Sequence, residues 1–523
     1  MILIDQLSRD YYGQGLVFII SYMMCVLKAS SAFSMSSMTV AANSGAIQQK
    51  VTYLPSKLFI SRFCTLLLLL ALLLSALILS LIYIRSSDHL CCQFYIPFSS
   101  SSPEWDTYSA YSPTDITHLV FGIAGSSNTW KDKKWQIEAW WRPNITRGYL
   151  FLDRPPTEYL PWPSTVDPPF RIRKYGKDLI PSAIGMVRTM VETFKTENRG
   201  DVRWYVMAED DTVLFVDNLV EVLGKYDHRK YYYIGRNSEC IVNNVRGAFE
   251  MAFGGGGYAL SYPLAKALAK NLDVCIKRYP PVYGSDLILH LCVADLGVSL
   301  THQKGFHQID LRGDISGYLS AHPQSPLLSL HRLEAVKPIF PFMNHRESVS
   351  HLMKAAAAGE PRLLQQTVCY DDYKQSNWSF SISWGYSAHI YESFIPPSIL
   401  QRPIETFFPW QKGAYPPYMF NTRSPSSDPC EAPHLFFFDS VEEKIGGSVV
   451  TSYARRWPRR MVACNSSSSR LSADHIFKIH VLSPTKRLAG VASRRECCDV
   501  VSASYMNASV IKLRACMQHE ILA

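Results

Sequence analysis

The sequence is poor in charged residues, which make up only 19% of its 523 positions and give a formal net charge of +9. It has no basic stripe with interleaved aromatic residues, which argues against nucleic-acid binding. Its run of glycines, Gly254–Gly257, is not followed by Gly-Lys-Ser or Gly-Lys-Thr, so a phosphate loop is excluded. With 47% hydrophobic residues, the composition is that of a globular protein of two or three domains that also carries a membrane segment.

A long apolar segment lies near the N-terminus. Phe63–Ile84 contains no charged residue, and a helix of this length would span the roughly 30 Å hydrocarbon core of a bilayer. Lys50, Lys57 and Arg62 precede it, and the positive-inside rule then puts the N-terminus in the cytosol. The sequence therefore predicts a single-pass type II protein of the Golgi membrane, with its catalytic part in the lumen.

The remaining organisation follows from this transmembrane helix. Residues 1–62 form a cytosolic segment, in which the apolar Leu16–Leu27 either lies on the membrane or belongs to an extension without a role, with translation starting nearer Met35 or Met38. We expect the further boundaries to be a signal anchor at 63–84, a serine-rich luminal stem at 85–112, a catalytic domain at 113–356 and a β-rich, partly irregular C-terminal accessory region at 357–523.

Luminal exposure gives meaning to two further patterns. Four glycosylation sequons follow the apolar segment, at Asn144, Asn377, Asn465 and Asn507. Eleven of the 13 cysteines also follow it, where disulfides can form. The adjacent pairs Cys91-Cys92 and Cys497-Cys498 should bond elsewhere rather than to each other. An odd number leaves one thiol free or bonded to a second copy of the chain, so a homodimer is one option.

Strand and helix patterns alternate in the predicted catalytic domain. Thr117–Ala124 and Gly148–Leu152 are typical of strands, and Trp130–Trp141 between them is typical of a helix that Pro143 ends. This alternation predicts an α/β fold with a mostly parallel sheet.

Three consecutive acids provide the main chemical signal. The apolar run Trp204–Ala208 predicts a buried strand, which ends in Glu209, Asp210 and Asp211. Ligands of open α/β sheets bind beyond the carboxyl ends of strands, and Mg²⁺ or Mn²⁺ can join a cluster of acids to a diphosphate. Asp211 is the best candidate ligand, and the alternative is a solvated turn.

Two further residues are candidates for the same site. Asp286 opens a predicted helix, Leu287–Leu296, and is either a general base or an acid that only stabilises the helix start; the helix dipole should lower its pKa. His307 in Gly-Phe-His suits Mn²⁺ and could complete a site begun by Asp211, although a lone histidine is more often structural.

Together these motifs resemble the fringe-type β1,3-glycosyltransferases of glycosyltransferase family 31, and most closely a plant branch of unknown function. The resemblance covers roughly residues 112–345 and extends more weakly to Arg423. The matching segments are His118–Ala124, Trp140–Arg147, Trp204–Thr212, Tyr231–Gly235, Gly254–Ala267, Tyr283–Asp286, Leu296–Gly297 and Gly305–Gln308.

The resemblance implies a GT-A-type fold, an inverting mechanism, a UDP-sugar donor, Mn²⁺ and a glycan or glycoprotein acceptor. It assigns the metal to Asp211 and His307, and the general base to Asp286. The residues it places around the donor are Ala124, Asp153, Glu209, Asp210, Gly255 and Gly256.

The chain departs from the family pattern at two points. Glu209 stands where the family usually has aspartate, and the acidic pair before the helix is reduced to Asp286, flanked by Ser285 and Leu287. These departures leave open a catalytically silent sugar-binding scaffold on the same fold. A glycoside hydrolase needs two opposed carboxyl groups about 5 to 10 Å apart, which three adjacent acids do not supply by themselves.

Overall fold

The structure is a computed structural model that describes most of the chain beyond the predicted stem. The described residues are 74–75, 112–154, 170–172, 182–279, 282, 284–322, 325–371, 377–444, 447–464, 472–485, 495–505 and 507–522. The predictions for 1–62, for the anchor at 63–84 apart from the helical Leu74 and Ser75, and for nearly all of the stem lie outside them. Within the described part of the chain, no helix is both long and apolar enough to cross a bilayer.

Among the described residues, ten short strands precede residue 340. They are β1 (Leu119–Ala124), β2 (Gly148–Leu152), β3 (Phe170–Ile172), β4 (Trp204–Glu209), β5 (Thr212–Leu214), β6 (Tyr233–Gly235), β7 (Tyr258–Ser261), β8 (Leu300–His302), β9 (Leu311–Gly313) and β10 (Ser329–His331). Seven of them form one sheet in the order β3-β2-β1-β4-β7-β6-β8. Only β7 runs antiparallel to its neighbours, so the predicted mostly parallel α/β sheet is confirmed.

The helices of the described chain lie between these strands and after them. They are α1 (Trp130–Glu138), α2 (Ser182–Thr196), α3 (Val216–Leu223), α4 (Ile241–Arg246), α5 (Tyr262–Arg278), α6 (Ser285–Ala294), α7 (Ser316–Leu319), α8 (His345–Gly359) and α9 (Pro397–Leu400). Short 3₁₀ turns lie at Ile116–His118, Leu333–Ala335, Glu360–Arg362 and Ala473–His475.

Successive residues of a strand point to opposite faces of its sheet, and both faces of this sheet are covered by apolar clusters. In β1 all six residues are buried. Leu119, Phe121 and Ile123 join one hydrophobic cluster, whereas Val120 joins another that includes apolar residues of α2, α5 and α6. Central parallel strands that are covered on both faces have this continuous apolar sequence.

A second sheet forms the C-terminal part. Its strands, with the short β14, are β11 (Gln366–Tyr370), β12 (Ser379–Ser383), β13 (Ser387–Tyr391), β14 (Phe407–Pro409), β15 (His434–Lys444), β16 (Ser448–Arg455), β17 (Lys478–Pro484), β18 (Cys497–Tyr505) and β19 (Ala508–Arg514). The eight strands other than β14 pair in the order β11-β12-β13-β15-β16-β17-β19-β18. The sequence expectation of a β-rich region after 357 corresponds to this sheet.

The predicted boundary between 356 and 357 does not divide the core. One hydrophobic cluster contains both Leu119 of β1 and Leu513 of β19. Strand β14 pairs with β9, and the buried Asn218 donates its amide to the Glu360 carbonyl at 3.0 Å. The two sheets therefore share one apolar interior, which is built from residues on both sides of position 357.

Four disulfides lie in the described part of the chain. They join Cys275 to Cys292, Cys369 to Cys498, Cys430 to Cys464, and Cys497 to Cys516. Cys497 and Cys498 thus bond to different partners, as predicted. Among the described cysteines Cys240 is free and buried, and Cys91 and Cys92 lie outside the described residues.

Candidate active site

The acidic turn lies at the carboxyl end of the central strands. Strand β4 pairs in parallel with β1, and Glu209 lies opposite Ala124 in the register. The Asp210 backbone N–H donates to the Ala124 carbonyl at 2.9 Å, and the Glu209 N–H donates to the Thr212 hydroxyl at 3.1 Å. These bonds hold the three acids in a tight turn between β4 and β5, where the sequence predicted them.

Asp211 is the most buried of the three acids, with 0% of its surface exposed. Its Oδ2 accepts a hydrogen bond from Lys133 Nζ at 2.7 Å. Its Oδ1 lies 3.1 Å from Nε2 of His331. The carboxylate is therefore held between a lysine of α1 and a histidine that the sequence analysis did not select.

The fold brings His331 to the acids through a short ribbon. Strand β10 pairs antiparallel with β5, which places His331 opposite Thr212, and the Arg332 N–H donates to the Asp211 carbonyl at 3.0 Å. His331 Nδ1 contacts the Gln308 carbonyl at 3.0 Å. Since a carbonyl can only accept, Nδ1 carries a proton, and Nε2 faces the acids.

Glu209, Asp211 and His331 form a group whose ligand atoms lie within 4.8 Å of one another. Asp211 Oδ1 and His331 Nε2 are both buried and face each other, and no well-aligned hydrogen bond to another described residue satisfies either atom. Their separation of 3.1 Å is close to that of two adjacent ligands about 2.1 Å from an octahedral ion. A divalent cation therefore fits these residues, and the mixed nitrogen and oxygen donors suit Mn²⁺.

The charges around the cluster are strongly coupled. Burial alone would raise the pKa of Asp211, but the His331 and Lys133 charges outweigh it and hold that pKa well below its usual range. The carboxylates of Asp211 and Glu209 hold the pKa of His331 well above its usual range, against the effect of burial. In the absence of a metal ion, a proton on His331 occupies the place that a cation would take.

Asp210 has a separate role. Burial raises its pKa to about 7, although Lys133 opposes the shift. Its Oδ2 accepts a weak bond from the Ser126 N–H at 3.3 Å, and a Cβ at Gly125 would lie 2.9 Å from the same oxygen. Asp210 thus ties the turn to the loop after β1.

Asp286 lies beside the acidic cluster at the start of α6. It shares the lining of a small pocket with Glu209, Gly254 and Ala124, and the Gly254 backbone N–H bonds to its carboxylate. Burial and the Glu209 charge raise its pKa to about 7. The expectation that the helix dipole would lower this pKa was wrong, because desolvation and a neighbouring acid act more strongly here.

The glycine run lets backbone approach these side chains closely. A Cβ at Gly254 would lie 2.6 Å from Asp286 Oδ1, and one at Gly255 would lie 2.2 Å from the His331 ring. The Gly255 carbonyl accepts from the Thr212 hydroxyl at 2.8 Å, and the Gly256 N–H donates to Gln308 Oε1 at 2.7 Å. The glycines predicted to border the donor therefore also pack against Asp286 and His331.

Two other predicted donor residues lie at neighbouring strand ends. Ala124 ends β1 and lines the same pocket as Asp286. Asp153 follows β2, and its Oδ1 accepts from the Ser127 N–H at 2.8 Å. This bond ties the loop after β2 to the loop after β1.

His307 does not belong to the cluster. Its ring is fully buried, with Nδ1 3.0 Å from Glu239 and Nε2 2.8 Å from His322. The Tyr318 hydroxyl lies 2.7 Å from Nδ1 and donates to Glu239 Oε1 at 3.2 Å. Both ring nitrogens are thus engaged by other side chains, so the histidine we carry forward as a metal ligand is His331 in place of His307. Tyr283 of the predicted motif lies outside the described residues.

Sequence reasoning missed three residues of the site: Lys133, His331 and Arg332. Arg332 Nε lies 3.9 Å from Asp211 Oδ2, so two cationic side chains flank that carboxylate. The segment before His331, Leu327–Leu330, is mostly apolar and predicts at most a short strand, so no local signal marks His331 itself.

Comparison with known proteins gives partial matches. A family model described as a protein of unknown function, DUF604, matches residues 243–498, just under half of the chain. The mouse (Mus musculus) β-1,3-glucosyltransferase is 27% identical over 124 residues, which are 24% of this chain and 24% of that protein. The human (Homo sapiens) β-1,3-glucosyltransferase is 26% identical over 155 residues, 30% of each.

The chain resembles β-1,3-glucosyltransferases. The matches connect it with β-1,3-glycosyltransferase-like proteins and do not single out the fringe-type family. They span less than a third of the length of either glucosyltransferase.

Two solved structures align with part of the chain at low similarity. One is a glycosyltransferase involved in glycosylation of the major capsid of PBCV-1, with 10% identity, coverage of 45% of this chain and 98% of the other, and a TM-score of 0.25. An active-site mutant of LgtC aligns with 11% identity, 44% and 93% coverage and a TM-score of 0.28. These TM-scores are too low to support an inference.

Proposed function

We propose that this protein is a glycosyltransferase that moves a sugar from a UDP-sugar to an acceptor hydroxyl with inversion, forming a β-1,3 linkage. The observation that carries the proposal is the meeting of Glu209, Asp211 and His331 at a strand end, with Asp286 beside them. The similarity to β-1,3-glucosyltransferases supports the linkage and makes glucose the first choice of sugar. The acceptor is a glycan or glycoprotein.

Glu209, Asp211 and His331 would hold Mn²⁺. When bound, the ion would supply positive charge against the negative charge that develops on the departing diphosphate. The extra methylene of Glu209, relative to aspartate, does not take its carboxylate out of the cluster, since Glu209 Oε2 lies 3.7 Å from His331 Nε2.

Lys133 and Arg332 supply fixed cationic groups at the same place. Lys133 Nζ bonds to Asp211 and lies 3.3 Å from Asp210, and both basic side chains are partly exposed. A diphosphate next to the acids would meet these two groups. Positive charge that is already in position stabilises the leaving group without reorganisation during the reaction.

Asp286 is the proposed general base. Its carboxylate takes the proton of the acceptor hydroxyl while the hydroxyl oxygen forms a bond to the sugar C1. The bond from C1 to the diphosphate oxygen breaks on the opposite face, and the electron pair leaves with the UDP. A pKa of about 7 suits a base that works near neutral pH.

A Golgi location with type II topology belongs to the proposal. It rests on the uncharged segment Phe63–Ile84, with basic residues before it. Asn144, Asn377 and Asn507 are exposed, as glycan acceptors must be. Protease treatment of sealed vesicles tests the topology: protection of the chain after Arg85 is expected, and its digestion from outside would contradict this part.

The activity is tested by screening the full-length chain against UDP-sugars with Mn²⁺, with and without β-linked disaccharide acceptors, and measuring UDP release. We expect UDP-glucose to give acceptor-dependent release that a chelator removes. If none of the UDP-sugars gives UDP release, or if the chelator does not change the release, the proposed reaction is rejected.

A further inference from the structure

A second cavity lies in the C-terminal half and shares no lining residue with the pocket around Asp286. Its volume is about 250 Å³, slightly below the roughly 300 to 1,000 Å³ of typical small-molecule sites. The side chains that give it its character are Arg423, Arg455, Arg459, His389, His434 and Trp457. We call it the arginine pocket.

The lining of the arginine pocket has charge of one sign. Three guanidinium groups contribute to it, and none of the lining residues is acidic. The nearest carboxylates lie outside the lining: Glu392 Oε1 is 2.7 Å from His434 and 3.5 Å from Arg459, and the half-exposed Asp474 is 3.8 Å from Arg455. The groups that face a ligand are therefore positive.

Two of these arginines have unused hydrogen-bonding capacity. The side chains of Arg455 and Arg459 are only 5% exposed, yet Nε of each is buried without a hydrogen-bond partner among the described residues. The other nitrogens of Arg455 donate to the Asp474 and Ala473 carbonyls. Those of Arg459 donate to the Pro429 and Ala432 carbonyls and to the Glu392 carboxylate. A buried N–H donor without a partner is costly, and an anionic ligand would satisfy it.

The positive potential also affects a neighbouring histidine. Burial and the Arg423 charge lower the pKa of His389 to about 3. The imidazole is therefore neutral and does not add to the charge. Arg423 itself is half-buried, and one of its guanidinium nitrogens donates to the Tyr391 hydroxyl at 2.5 Å, which holds the side chain in place.

An aromatic surface borders the arginines. The rings of Phe437 and Trp457 lie 6.0 Å apart; Phe437 is buried, whereas Trp457 is 43% exposed. The C–H face of a sugar ring packs well on such a surface, because it is apolar and flat. Arginine pairs with a carboxylate through two parallel hydrogen bonds. A small ring with a carboxylate satisfies both features and suits the volume.

We propose that the arginine pocket binds a carboxylate-bearing sugar residue, a uronate, at a site separate from the candidate active site. The carboxylate contacts the guanidinium groups, and the sugar ring packs on Trp457. The site is a binding site without chemistry of its own. It would hold an acidic glycan whether or not the transferase proposal is correct.

The test is calorimetric titration of the full-length chain with glucuronate, glucose and inorganic phosphate. We expect saturable glucuronate binding, with glucose and phosphate at least about tenfold weaker, since each lacks one of the two recognition features. Asp211→Asn should bind glucuronate like the wild type. No saturable glucuronate binding would overturn the proposal. Equal binding of glucose would also overturn it, as would equal binding of phosphate, which would indicate a simple anion site.

Variants locate the binding. Arg423→Gln should weaken glucuronate binding at least about tenfold, because a charge-assisted hydrogen bond is lost. Arg402→Gln is the matched control: Arg402 is exposed and outside the lining, so its loss should change affinity less than about twofold. Trp457→Ala, a partly exposed position, should weaken binding with little change in melting temperature. Should Arg423→Gln fail to fold, undiminished binding by Trp457→Ala would still contradict the proposal.

Discussion

Asp286 is the side chain on which the proposed reaction depends most. It accepts the Gly254 N–H and lies next to the Glu209 charge, so it is near the metal cluster without being one of the group that could hold the ion. Its partial burial at the start of α6, together with the Glu209 charge, makes ionisation costly and the carboxylate correspondingly basic.

We therefore expect Asp286→Asn to lower the transfer rate by about 10² to 10⁴-fold, with Mn²⁺ affinity and melting temperature nearly unchanged. The amide keeps an oxygen for the Gly254 N–H and removes a charge that burial disfavours. Turnover, metal affinity and melting should be measured on one preparation. Near-normal turnover would remove Asp286 from the mechanism, and a collapse of melting with activity would favour a role as a helix cap only.

Glu360 gives a test of buried charge away from the site. Burial raises its pKa to about 7 from an ordinary 4.5, and its Oε1 accepts the Asn218 N–H at 2.8 Å. Because the pKa of Glu360 is higher in the folded state than in the unfolded state, the protonated carboxyl group stabilises the fold fully at pH values below the unfolded pKa. This contribution is lost as the pH rises through about 7.

In the wild type, the free energy of unfolding should fall by up to about 3 kcal/mol as Glu360 ionises, and Glu360→Gln should remove this fall. The variant should gain stability relative to the wild type between pH 5 and pH 8, as measured by urea unfolding at both values. Glu221→Gln, on the exposed part of α3, is the control and should change stability equally at the two pH values. The same behaviour for Glu360→Gln would show that its ionisation does not affect folding.

Asp211 and Asp286 could be selected from the sequence, whereas His331 could not. An apolar run that ends in acids is a local pattern, and so is an acid before a helix. His331 reaches Asp211 only because β5 and β10, two strands of three residues, pair across more than a hundred positions. No local periodicity encodes that pairing, and the more familiar Gly-Phe-His sequence attracted the assignment to His307.

At the scale of elements, the turn at Gly254–Gly257 joins the two halves of the site. Gly254 contacts Asp286 and Gly255 contacts His331, so one loop before β7 fits between the proposed base and the proposed ligand. Overpacking at such a position typically costs about 1 to 3 kcal/mol.

We expect Gly255→Ala to weaken Mn²⁺ binding at least about tenfold, because the new methyl group would displace the His331 ring. Gly200→Ala is the control, since a Cβ there has no neighbour within 4 Å among the described residues. Metal titration and thermal melting of both variants distinguish the cases. Unchanged Mn²⁺ affinity in Gly255→Ala would show that His331 is not a ligand.

Regular elements were predictable where their pattern is local. Helix α6 begins at Ser285, beside the predicted start, and Gly297 follows it with a φ of 75°, which glycine adopts easily. Asp217 lies in the first turn of α3 and pairs with Arg142 at 2.7 Å. This tertiary ion pair joins residues far apart in the chain, so no local pattern marks it.

At the scale of the whole molecule, the two sheets depend on each other. The sequence predicted a change of pattern near residue 357 but could not show that both parts share one core. That sharing arises from contacts such as β9 with β14 and Asn218 with Glu360, which join residues far apart in the chain.

A chain shortened to end at Gly359 should therefore fail to fold cooperatively, because the cluster that includes Leu119 and Leu513 would be opened. We expect strong binding of a hydrophobic dye and a broad, non-cooperative melt. Deletion of residues 521–523, beyond β19, is the control and should melt like the full chain. Sharp two-state melting of the shortened chain would show that the N-terminal sheet is an independent domain.

The central claim is that Glu209, Asp211 and His331 form a Mn²⁺ site, and direct titration of Mn²⁺ into the full-length chain by electron paramagnetic resonance tests it most directly. The account predicts one tightly bound ion. Asp211→Asn and His331→Ala should each lower the Mn²⁺ affinity by more than the roughly 10- to 100-fold typical of outer-shell changes, whereas His307→Gln should leave the affinity unchanged. The absence of a bound ion in the wild type, or equal affinity in the wild type and His331→Ala, would contradict the claim.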